Sequence, residues 1–70
     1  MMAPEVGQTF GDQTEGVIIT VTKVTPKQVG FSVLFLSSKR SGNLTVSREE
    51  WNRNMDAGVR AGRIVELVDE

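Results

Sequence analysis

The chain has 70 residues, with eight Lys plus Arg against nine Asp plus Glu, and no His, Cys or Tyr. That length allows one small domain, whose single core supplies only about 3–5 kcal/mol of net stability, so association with a partner or a second copy would help it. Without Cys or His there is no disulfide, thiol nucleophile, imidazole base or zinc–thiolate site, which removes most catalytic constellations at the outset.

At 39% hydrophobic and 24% charged residues, the composition is that of a globular domain rather than a disordered segment. The longest apolar runs, Val17–Ile19 and Val33–Leu36, fall far short of the ~18–20 residues of a membrane span. Met1–Glu5 carries neither the basic nor the apolar region of a secretory signal, so cytoplasmic residence is the expectation. The net charge of −1 conceals a division along the chain. Glu5, Asp12 and Glu15 make the first segment acidic, and Glu66, Asp69 and Glu70 do the same at the end. All eight cations lie between Lys23 and Arg63, offset there only by Glu49, Glu50 and Asp56. Depending on the fold, this makes a two-signed surface or an interspersed, solubilising one.

In chain order, Met1–Glu5 reads as a flexible leader ahead of a single domain over residues 6–70. Val6–Phe10 is a first strand with Val6 and Phe10 inward, and the glycine-bracketed Gly11–Gly16 is a turn. Val17–Thr25 is a strand rich in β-branched residues, which favour the pleated state; Val17, Ile19 and Val21 share one face and Ile18, Thr20 and Thr22 the other. Thr25–Gln28 is a turn whose Pro26 presets φ. Val29, Phe31, Val33 and Phe35 then alternate with Gly30, Ser32, Leu34 and Leu36, the period of a strand, in which Gly30 marks a bend or a close backbone approach. Ser37–Asn43 is a polar loop, and Leu44–Val46 returns to extended structure with Leu44 and Val46 on one side.

The period changes at Ser47. Ser47-Arg48-Glu49-Glu50 matches a capping box, with Val46 and Trp51 placed to form a hydrophobic staple. Trp51, Met55 and Val59 form an apolar stripe at helical spacing, and either Gly58 or Gly62 ends the helix. Ile64–Val68 is a closing strand. Four or five strands joined by short turns, with one late helix, predict a mostly β (α+β) fold: a small antiparallel half-open barrel.

Chemistry is scarce in this inventory. Asp12 and Glu15 are candidate bases placed in a turn, and Gly7–Gly11 lacks the Lys and spacing of a phosphate loop. The acidic residues do not have calcium-loop spacing. The expectation is therefore no enzyme, no cofactor and no metal. Two binding readings remain. If Phe31, Val33 and Phe35 face the core, then Ile18, Leu34 and Leu36 form an outward apolar set, to which Trp51 adds an anchor for a protein partner. Trp51 equally suits a core position, and the helix could itself cover the outward set. The second reading is a nucleic-acid site of Lys39 and Arg40 at a hairpin tip with Arg53, Arg60 and Arg63, against which stands a pI near 5.3. A structural homo-oligomeric piece of a particle is a third.

Val6-Gly7-Gln8-Thr9-Phe10, then Val21–Val24 leading to Gln28–Phe31, and finally Ser47-Arg48-Glu49-Glu50-Trp51 resemble, in order and element length over residues 6–67, short phage- or prophage-encoded proteins of unknown function with a Src-homology-3-like barrel. The Cys or His often found in such proteins is absent here. The resemblance implies an accessory role in the host cytoplasm, binding and modulating a host or phage protein.

Overall fold

A computed structural model of the chain describes residues 4–67. Five strands and one helix follow in the order β1 (Thr9–Asp12), β2 (Val17–Val24), β3 (Gln28–Phe35), β4 (Arg40–Ser47), α1 (Arg48–Arg60) and β5 (Ile64–Leu67). All neighbouring strands pair antiparallel, in the spatial order β4-β3-β2-β1-β5. The fold is mostly β, and the sheet is not closed: β4 and β5 are its two edges.

Local chemistry explains the elements. Every residue of β2 except Lys23 is β-branched, so little side-chain freedom is lost in the pleated state. Between β2 and β3 the register shifts at Val21/Lys23, a bulge that adds twist and bends the sheet. Gly30 lies opposite, buried, where a Cβ would stand 3.2 Å from Lys23 Cβ; this is the close approach expected of that glycine. The β2–β3 turn is tied by Thr25, whose Oγ1 accepts the Gln28 N–H at 2.9 Å. Ser47 caps α1, its Oγ accepting the Glu50 N–H at 3.1 Å. Only this serine half of the expected capping box forms among the described residues.

At its other end α1 stops in a Schellman arrangement. The Arg63 N–H donates to the Gly58 carbonyl and the Gly62 N–H to that of Val59, with Gly62 at φ +77°. Gly62 is therefore the stop and Gly58 has a different role. It is buried, and a Cβ there would overlap Ile64 Cδ1 and lie 2.6 Å from Ile64 Cγ1. We expect Gly58→Ala to lower stability by up to about 2 kcal/mol by urea denaturation, because overpacking at ~1–3 kcal/mol offsets or exceeds the roughly 1 kcal/mol helix-propensity gain.

Alternation places Phe10, Val21, Val29, Phe31 and Ile64 on the sheet face that receives α1. There Trp51 and Met55 complete a core with Phe10, Val21, Val29 and Ile64, against which Ile19, Val24, Phe31 and Val46 pack. Val46, preceding the cap, reaches the same cluster as Trp51, as the staple requires.

Several boundaries differ from those read in the sequence. β1 begins at Thr9 because Gly7, at φ +94°, turns the chain; Val6 is 66% exposed rather than inward. Pro4, within the expected leader, is buried, and Met1–Ala3 lie outside the described residues. The polar loop contracts to a turn over residues 36–39, closed by Lys39 at φ 56°, and Ser41–Asn43 belong to β4. Val59 is 55% exposed because Gly58 takes the core-facing position, and Phe35 is 47% exposed because α1 does not reach that end of β3. Val68, expected in the closing strand, lies outside the described residues.

Candidate functional site

The face of the sheet away from α1 is built by the residues that alternate with the core. Register places Val65, Gly11, Ile18, Leu34 and Ser41 in one row across all five strands. The next row is Leu67, Thr9, Thr20, Ser32 and Asn43. None of these positions is charged. Ile18 is half-buried, while Leu34, Val65 and Leu67 are exposed. Leu36 joins them, because its N–H donates to the Gly16 carbonyl at 3.0 Å and so extends the β2–β3 ladder by one step. A shallow cleft of roughly 390 Å³ runs between Ile18, Leu36 and Leu67, floored by Gly11. The Leu67 side chain lies over that glycine, 3.5 Å from where a Cβ would stand.

Ile18, Leu34 and Leu36 are thus brought to one face, and the helix packs on the other. Val65 and Leu67 complete the set; the alternation Ile64-Val65-Glu66-Leu67 contained that signal, but only pairing of β5 with β1 brings them beside Ile18. Trp51 does not belong here. It is 5% exposed, held edge-on to Phe10 (ring centroids 6.0 Å) and tilted against Phe31 (5.2 Å), so its indole fills the core and offers no partner an anchor.

The five cations of the nucleic-acid reading are divided among separate elements. Lys39 and Arg40 stand at the β3–β4 turn, and Arg53 and Arg60 are exposed on α1. Arg60 pairs with Asp56 one turn back at 3.5 Å, and Arg63 pairs with Asp12 at 3.4 Å. Of the four aromatics, Phe10 and Trp51 are buried and Phe31 is packed against Trp51, leaving Phe35 as the exposed ring.

Asp12 is buried at 6% exposure. One carboxylate oxygen, Oδ1, accepts the N–H groups of Thr14 (3.0 Å) and Glu15 (3.1 Å), and Oδ2 takes Arg63. Both oxygens are therefore engaged in holding the β1–β2 turn against the approach to β5. Glu15 is exposed in the same turn. A second cleft, roughly 320 Å³, opens on the helix side between Gln8, Phe10, Trp51, Met55 and Val59, where Gln8 Nε2 donates to Glu66 Oε2 at 3.2 Å. Among the described residues no group of three or more acidic side chains gathers to hold a metal, and no helix is long and apolar enough to cross a membrane.

Comparison of the chain with protein-family models, with curated proteins and with solved structures finds no match.

Proposed function

We propose that this chain is a non-catalytic binding module that docks a protein on the outer face of its sheet, as a phage accessory factor modulating a host or phage protein. The observation that supports this is the pair of uncharged ladder rows carrying Ile18, Leu34, Val65 and Leu67, flanked by Leu36, on the face without the helix. Contiguous exposed aliphatic surface on a small protein costs solubility unless something covers it. Its core-like centre and hydroxyl-bearing surround suit a protein interface.

The test is affinity capture from bacterial lysate with the parent chain, with Leu34→Glu, and with Arg53→Glu on the opposite side as control. Leu34 is 38% exposed, so the glutamate is expected to leave the circular dichroism spectrum unchanged while reducing partner retention at least tenfold, the scale of a central interface residue. A partner retained equally by Leu34→Glu would refute the reading.

A second reading has one observation in its favour. The exposed Phe35 pairs directly with Arg40 across β3–β4, beside Lys39, a stacking ring flanked by cations of the kind single strands use. Titration of labelled oligonucleotides across salt decides it: binding that falls steeply with salt and is lost in Phe35→Ala supports it.

A further inference from the structure

We propose that β4 is a self-pairing edge, through which two copies of this chain join antiparallel about a two-fold axis into one continuous sheet. The inference uses a different surface from the outer-face reading and is independent of it.

The edge is long and unprotected. All eight residues of β4 pair with β3 without interruption, and all except Val46 are exposed. It contains no Pro, no bulge and, apart from Arg40 at its end, no charge, so the usual devices that blunt an edge are missing. The opposite edge differs: among the described residues β5 spans Ile64–Leu67 and carries Glu66. The Arg48 N–H donates to the Lys27 carbonyl at 2.9 Å, which sets the phase of the ladder. Because bonded and non-bonded pairs alternate, residues 40, 42, 44 and 46 bond to β3. The N–H and C=O groups of Ser41, Asn43 and Thr45 therefore face the free side.

Charge selects the occupant. Lys39 and Arg40 lie at the start of β4, while Glu49 and Glu50 stand in the first turn of α1 just beyond its end. The intervening Arg48 is turned inward, its guanidinium donating to the Thr25 carbonyl at 3.4 Å. An antiparallel second β4 therefore sets the basic end of each copy against the acidic end of the other, twice per dimer. Centring the axis on Asn43 pairs Ser41 with Thr45 of the second copy and places the exposed Leu44 beside the second copy's Gly42, a large residue against a small one. This register pairs the three free-side residues among themselves, Ser41 with Thr45 and Asn43 with Asn43, as the alternation of bonded pairs requires. The exposed, inner-facing Leu44 then lies at the seam. The axis runs through the sheet, so both outer faces remain on the same side.

Sedimentation equilibrium of the full chain from about 1 to 500 μM tests this directly, since loaded sheet edges associate in the range of transient interfaces. The parent chain is expected to dimerise. Asn43→Pro removes an N–H that β3 does not use and should yield a monomer with an unchanged circular dichroism spectrum. Arg40→Glu and Glu49→Arg should each weaken the dimer about tenfold through like-charge opposition, and the double variant should recover to within about threefold of the parent. If Asn43→Pro fails to fold, the charge series decides. A parent chain monomeric throughout, a double variant no tighter than either single one, or a dimer lost in Leu34→Glu but kept in Arg40→Glu overturns the proposal. The readout is oligomeric state alone, so failure of partner capture at the outer face leaves this result standing.

Discussion

Trp51→Ala is expected to leave about half of the protein unfolded at 25 °C. The indole is 5% exposed and bridges three elements, extending from α1 to Phe10 of β1 and Phe31 of β3. Truncating a buried Trp costs about 3–5 kcal/mol, which equals the whole net stability of about 3–5 kcal/mol available to a core of this size. The other buried residues of α1 are Met55 and Gly58, so little else can hold the helix to the sheet once the ring is gone. Trp51→Phe keeps a ring between Phe10 and Phe31 and should lose only about 1–2 kcal/mol. Thermal unfolding followed by circular dichroism separates these outcomes from the role of Trp51 as a surface anchor. An anchor would leave Tm within a few degrees, whereas loss of 1 kcal/mol already moves a domain of this size by about 4–8 °C.

The next largest effect is expected at Asp12. Its carboxylate accepts two backbone N–H groups of the β1–β2 turn and meets Arg63 in front of β5, thereby joining segments 51 residues apart. Hydrogen bonds to a charged group contribute about 1.5–3 kcal/mol, but the Thr14 and Glu15 N–H groups can turn to water when the acceptor is lost. The Arg63 side chain is 39% exposed, which screens the ion pair. Asp12→Ala should therefore cost about 2–3 kcal/mol. Asp12→Asn retains an oxygen for the turn and loses only the charge, so it should cost about 1 kcal/mol. Urea denaturation of the two variants measures the difference. Equal losses would show that the ion pair, and not the turn, carries the contribution of Asp12.

Self-association at β4 also bears on the outer-face reading. A two-fold dimer displays two copies of the Ile18, Leu34 and Leu36 surface side by side, so a partner with two matching sites would bind through avidity. A monomer would offer one such surface.

Features set within a few residues were legible in the chain. The alternation of Val29, Phe31, Val33 and Phe35 identified β3, the β-branched run identified β2, and Ser47 marked the start of α1 through its own side chain. Gly30 signalled the close approach at the bulge, because a missing Cβ is a local fact with a geometric consequence. These are properties of periodicity, side-chain branching and capping, which act over one turn or one strand.

What the chain could not decide alone was which of two faces each alternating set would occupy in three dimensions. Period two divides a strand into two faces but leaves open which one a helix covers. That depended on α1 crossing from the end of β4 to β5, which put Trp51 in the core and left Ile18, Leu34 and Leu36 uncovered. Strand order brought Val65 and Leu67 to the same face, and it joined Asp12 to Arg63. The opening charge count changes meaning in the same way. Of its central cations, Arg60 pairs with Asp56 one helical turn back and Arg63 with Asp12, and the second of these contacts, between residues distant in sequence, exists only once the sheet is assembled.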